Sequence, residues 1–128
     1  MPTHISNGIR ISVRARYQAG YSKPSSNQYV FSYRVRIENF REETVQLLRR
    51  HWIITNAVGG TRKVEGEGVI GQQPILKPGE VHSYDSWCPL PSPIGTMHGS
   101  FQMQIVGTDT FFQAEIPRFS MESTVMLN

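Results

Sequence analysis

Cysteine occurs once, as Cys88, so no internal disulfide can form and no cysteine-rich metal cluster can be built. A lone thiol agrees with a reducing, cytoplasmic setting. No stretch approaches the roughly 18 apolar residues of a membrane helix, and the opening MPTHISNGIR lacks the apolar segment and small-residue cleavage site of a signal peptide. A soluble protein with no membrane association is expected. The four histidines, His4, His51, His82 and His98, never fall into an HxxxH or HExxH spacing. A metal site would have to be gathered by folding, for example from His82, Asp85 and His98, and neither a metal nor another cofactor is expected. Ser83 and Ser86 lie near His82, yet no nucleophile elbow or Ser/His/Asp order can be drawn, and Cys88 reads as a small buried hydrophobe. The sequence therefore carries no sign of catalysis, and the expectation is that the protein is not an enzyme.

What is present is alternation. Ile9, Ile11, Val13, Ala15 and Tyr17 interleave with Arg10, Ser12, Arg14 and Arg16, the period of a half-buried strand. Phe31, Tyr33, Val35 and Ile37 interleave with Ser32, Arg34, Arg36 and Glu38 in the same way, after a loop from Gly20 to Asn27. From Val45 to Asn56 the doublets Leu47, Leu48 and Ile53, Ile54 blur the period, which implies partial cover on both faces or a bulge, with Trp52 buried. Shorter strands are expected around Arg62 to Glu65, Val81 to Trp87, Phe101 to Ile105 and Phe112 to Ile116, the last stopped by Pro117, with a loop from Pro89 to Gly95. About seven strands without a helical period predict an all-β, immunoglobulin-like or fibronectin type III-like antiparallel β-sandwich. The 128 residues suit one domain spanning 1–128. Paired cysteines of a true immunoglobulin domain are absent.

The run Val64 to Glu80, VEGEGVIGQQPILKPGE, holds Gly66, Gly68 and Gly71 at the spacing GxGxxG. In a dinucleotide-binding unit those glycines close a strand and open a helix whose N–H groups hold pyrophosphate. Pro74 and the turn Lys77, Pro78, Gly79, Glu80 follow here, so no helix can. Glu65 and Glu67 bring negative charge into the loop and no lysine lies within it. Gly66, Gly68 and Gly71 remain a weak candidate phosphate loop; the plainer reading is a tight turn that needs glycine.

Charge is weak in total and uneven in distribution. The net +3 is too small to argue for nucleic acid, but residues 1–64 hold eleven Lys or Arg against three acids, and residues 65–128 hold two against seven. Strand pleating turns Arg10, Arg14, Arg16, Arg34 and Arg36 outward, so neighbouring strands would present a basic face suited to an acidic protein partner. No aromatic residue interleaves with those arginines, which disfavours single-stranded nucleic acid. The charge asymmetry is consistent with a monomer or a weak homo-oligomer.

The glycine run, then Tyr84, Ser86, the triplet Cys88, Pro89, Leu90, and Gly95, Met97, Gly99, Phe101 and Met103, closely resemble the ApaG family, also called CorD. RHWIIT from Arg50 to Thr55 and the terminal Ile116, Pro117, Phe119 agree, so the likeness covers nearly the whole chain. It implies a fibronectin type III-like sandwich. It also implies an association with cobalt resistance and magnesium efflux in bacteria, and a use as a module joined to F-box and polymerase-delta-interacting proteins in eukaryotes. A pyrophosphate site suggested for the family would fall on Gly66, Gly68 and Gly71. The chain departs from the family's usual residues at Asp85, Trp87 and Ser92, and Trp87, where glycine is usual, would present an apolar surface beside the loop Trp87 to Met97. The expected interaction surface is thus Arg14, Arg16, Arg34, Arg36 and Trp87 with the ground around the glycine loop.

Overall fold

Apolar residues at every second position bury one face of each long strand, and two such faces close on one another. The structure is a computed structural model and describes residues 1–123. Two antiparallel sheets form an immunoglobulin-like, fibronectin type III-like sandwich. The first has the order β1 (Thr3–Ser6), β2 (Ile9–Tyr17), β3 (Tyr29–Asn39), β7 (Val81–Leu90). The second has the order β5 (Thr61–Glu67), β4 (Val45–Asn56), β8 (Ile94–Ile105), β9 (Phe111–Glu122), with the two-residue β6 (Ile75–Leu76) also on β4.

The core follows the alternation. Ile9, Ile11, Val13, Phe31, Val35 and Ile37 of the first sheet meet Val45, Leu47, Trp52, Phe101 and Met103 of the second, all buried. Trp52, only 2% exposed, lies edge-on to Tyr33, Phe101 and Phe119, a geometry that aligns ring edges with ring faces. Asn39, a buried polar residue at the end of β3, is fully engaged. Its Nδ2 donates to the carbonyls of Glu43 and Leu76, and its Oδ1 accepts from the Arg41 N–H.

Three sequence expectations change. Nine strands are described in place of about seven, because β1 is too exposed and β6, with two residues, too short to show alternation. The loop expected from Pro89 to Gly95 shrinks, since β7 runs to Leu90 and β8 begins at Ile94. Pro117 does not end the last strand. Together with Arg118 it stands opposite the single residue His98, a bulge where the ladder needs no proline N–H. The blurred pattern in β4 is the expected bulge: Leu47 pairs Met103 and Arg49 pairs Gln102, leaving Leu48 between them.

That bulge shapes the glycine run. β5 and β6 lie on the same edge of β4, where Arg49 pairs Glu67 and Val45 pairs Leu76. More chain lies between Glu67 and Leu76 than the edge between Arg49 and Val45 can pair, so the segment 68–74 leaves the edge as a short excursion. The Leu48 carbonyl at the bulge accepts from the Gly68 N–H and the Gln73 amide, at 2.8 and 3.0 Å. No helix among the described residues is long and apolar enough to cross a membrane.

Candidate functional site

The excursion is a hairpin rather than a phosphate cradle. Val69 and Gln72 exchange both backbone hydrogen bonds, at 2.8 and 3.0 Å, around Ile70 and Gly71 with φ of 48° and 72°. Positive φ at both central residues is the type I′ turn of tight hairpins. Its N–H groups are mostly used: Gly68 donates to Leu48, while Val69 and Gln72 donate to each other. The three glycines serve different ends. Gly68 has φ +64°, and a Cβ there would come within 2.3 Å of the Gln72 carbonyl oxygen. Gly71 supplies the left-handed turn and has open space around it. Gly66 makes room for a neighbour, since a Cβ would stand 2.8 Å from both Nη atoms of Arg50.

Arg50 was not singled out as a site residue by the sequence, although a signal existed. Past the bulge it occupies the same inward column of β4 as Trp52 and Ile54, where a charge is out of place. Its Nη1 donates to the carbonyls of Glu67 and Gly68, each at 3.0 Å, tying the root of the hairpin to β4. The guanidinium faces a cleft on the open side of the sandwich, between the β5 edge with its hairpin and the β7 edge. Two adjoining pockets there, of about 270 and 170 Å³, share Tyr33, Arg50, Trp52 and Ser86. One reaches Tyr84 and the hairpin tip; the other reaches Arg62 and Cys88. Burial pushes the Tyr84 hydroxyl well above its ordinary range and raises that of Tyr33, with Arg50 pulling the other way in both. Cys88 is buried, and that burial raises its thiol pKa against the pull of Arg62, which disfavours the reactive thiolate.

The second region is the outer face of the first sheet. β2 and β3 are neighbours, Arg14 stands directly opposite Arg34, and Arg16 opposite Ser32. A shallow pocket of about 430 Å³ gathers Arg14, Arg16, Gln18, Arg34, Asp85 and Trp87. Arg36 lies farther along the strand and is not among its lining residues. The basic face is partly neutralised. Arg34 makes a two-pronged contact with Asp85 at 3.0 and 3.2 Å, and Arg10 and Arg36 both reach Glu38. The hydrogen bond from Arg10 is the largest influence lowering the Glu38 pKa, and the one from Arg34 plays that part for Asp85. Arg14 and Arg16 make no ion pair among the described residues.

Contrary to the sequence expectation, aromatic surface does adjoin these arginines. Trp87, 52% exposed, pairs across the ladder with Ser32 and sits edge-on to Tyr21, itself 69% exposed, with ring centroids 5.2 Å apart. Trp87 lies in the extended strand β7 without positive φ, so a side chain in place of the family's glycine costs no backbone strain. The suggested metal trio is not brought together. His82 points into the sandwich from β7, Asp85 points out from the same strand to Arg34, and His98 faces outward on the opposite sheet. Among the described residues, no three His, Cys, Asp or Glu side chains are grouped as metal ligands would be.

The family model described as the ApaG domain matches residues 19–105. A Protein ApaG from Rhodospirillum centenum is 45% identical over 96% of this chain and 94% of its own length. One from Thiobacillus denitrificans is 47% identical over 88% of each. The solved structure of an ApaA protein from Bordetella pertussis superposes with a TM-score of 0.87 at 41% identity, covering 96% of both chains. With the matched domain spanning both sheets and these relatives aligned over nearly their full length, the chain belongs to the ApaG family.

Proposed function

We propose that this chain is a non-enzymatic interaction domain that captures an acidic protein partner on the outer face of its first sheet. The observation that carries this reading is the exposed Trp87 and Tyr21 pair set beside Arg14 and Arg16, two guanidinium groups with no carboxylate of their own among the described residues. An aromatic anchor flanked by arginine is the composition of interface hot spots. Uncompensated positive charge draws a negatively charged partner and sets its on-rate. The rigid sheet beneath holds both in register. The cobalt and magnesium association of the family is then an indirect consequence of partner binding.

Capture from the native host with wild-type protein, Trp87→Ala and the double variant Arg14→Gln, Arg16→Gln tests this. One recovered partner, acidic and lost with both variants, is the expected result. Background recovery alone, together with turnover of a substrate by purified protein, overturns it. The runner-up reading is a phosphate, pyrophosphate or nucleotide ligand on Gly66, Gly68 and Gly71. It is favoured by the two N–H groups of Ile70 and Gly71 at the hairpin tip, and disfavoured by the ladder use of the rest. Unmoved Gly66, Gly68 and Gly71 amide signals under millimolar pyrophosphate end that reading.

A further inference from the structure

The open-side cleft holds polar groups that neither reading uses. Tyr84 is 9% exposed, and its hydroxyl is buried with no hydrogen-bond partner among the described residues. A hydroxyl taken from water without a replacement partner is costly, so such groups in a native structure call for a purpose. Beside it, Arg50 spends only Nη1 on the Glu67 and Gly68 carbonyls. Its Nε and Nη2 edge has no hydrogen bond, and no carboxylate pairs with it, among the described residues. In this same protein Arg10 and Arg34 each present that Nε and Nη2 edge to a carboxylate, Glu38 and Asp85. The fork of parallel N–H donors matches two oxygens of one planar or tetrahedral oxyanion.

We propose that the cleft between the 68–74 hairpin and β7 binds a small oxyanion, a phosphate or a carboxylate, through the Arg50 guanidinium and the Tyr84 hydroxyl. Each pocket falls below the roughly 300–1,000 Å³ of sites for drug-sized ligands, which limits the occupant to a small molecule or a single protruding group. The charge balance agrees in sign. Arg50 and Arg62 line the cleft, against Glu67 as the one carboxylate among its lining residues, on an exposed position of β5. Ile70, with positive φ and 62% exposed, sits at the tip beside the same pocket. A β-branched residue in that conformation is strained, a feature found where a loop serves a ligand. Gly66 is explained too, because any side chain there would push the guanidinium out of its place. The site uses side chains rather than the loop backbone, and it stands whether or not the outer face binds a partner.

The test follows the Arg50 Nε–H and Tyr84 ring signals by NMR while inorganic phosphate, and separately acetate, is added at constant ionic strength. A saturable shift of both signals with either probe is expected, and the stronger probe tells phosphate from carboxylate. Tyr84→Phe removes one buried oxygen, so thermal stability should hold or rise while affinity for that probe falls about tenfold, or about 1.4 kcal/mol. The proposal is overturned by the absence of any saturable shift, by shifts confined to the Ile70 and Gly71 amides, or by undiminished binding in Tyr84→Phe.

Discussion

Arginine appears in two settings in this sandwich, and they differ in what surrounds the charge. On the outer face of the first sheet, five guanidinium groups stand in water, three of them paired with Glu38 or Asp85. On the open side Arg50, unlike the exposed Arg62 beside it, is half-buried, ties down a hairpin and has no carboxylate partner among the described residues. A count of charges along the sequence ranks the first region far above the second. Environment reverses the ranking for energetics, since exposed ion pairs contribute little and a partly buried charge held by carbonyls contributes much more. The uneven charge of the two sequence halves is itself softened by register, because β3 from the basic half pairs with β7 from the acidic half and sets Arg34 against Asp85.

Stability should fall furthest for a substitution at the hairpin root. Gly68→Ala meets both a left-handed backbone and the Gln72 carbonyl, and a loss of about 3 kcal/mol is expected from strain and displacement together. Gly71→Ala, with open space around it, should lose only the conformational part, about 1–2 kcal/mol. Urea denaturation of the two variants measures the difference; equal losses would mean that the hairpin is not docked on the Leu48 bulge as described.

Arg50→Met removes two charge-assisted hydrogen bonds to carbonyls and should cost about 2–3 kcal/mol, whereas Arg14→Gln on the outer face should stay within about 0.5 kcal/mol. Similar shifts in the two denaturation midpoints would erase the distinction between the regions.

How much of this was legible depended on whether a residue's neighbours in sequence are also its neighbours in space. β2 and β3 declared themselves through unbroken alternation, and the outward facing of Arg14, Arg16, Arg34 and Arg36 followed from it. β1, with exposed residues, and β6, with two residues, offered no period to read. Pro117 was misread because a bulge opposite His98 removes the demand for its N–H, and a bulge is set by the partner strand. Of the site, Gly66 was read as part of a loop motif, while its reason lies across the ladder in Arg50. Tyr84 stood out only through family likeness, since nothing local distinguishes a tyrosine with a satisfied hydroxyl from one without. Trp87 is exposed on the outer face, as the alternation of β7 implied, but its contact with Tyr21 depends on how the chain before β3 folds back toward β7.

On the outer face, the quadruple variant Arg14→Gln, Arg16→Gln, Arg34→Gln, Arg36→Gln should keep the fold, since each exposed pair it loses is worth about 0–1 kcal/mol. Its effect belongs to kinetics. Association with an acidic partner should slow by about tenfold at low salt and lose most of its salt dependence. Stopped-flow or surface-binding rates at two ionic strengths read this out; an unfolded variant would contradict the strand facing, and an unchanged rate would leave the face merely solvated.

The smallest effect is the dependence of stability on acid, and it separates the inner and outer faces of the first sheet. His82 turns inward from β7, and burial lowers its pKa. Its unfolded form therefore takes up a proton first as pH falls. Stability should be level above the unfolded histidine value of about 6.5 and decline as pH drops through it toward the lower folded value. Glu38 on the outer face behaves differently, because its pKa is lowered chiefly by the hydrogen bond from Arg10. The stability it adds is full above the ordinary carboxylate value of about 4.3 and disappears as pH falls from there through the folded value, with Asp85 contributing in the same range through Arg34. Two successive slopes should thus appear in urea midpoints taken from neutral to acid pH. His82→Gln should flatten the upper slope alone, and Glu38→Gln should weaken only the lower one. An upper slope that survives His82→Gln would place its origin in another group and remove His82 from the buried side of the sheet.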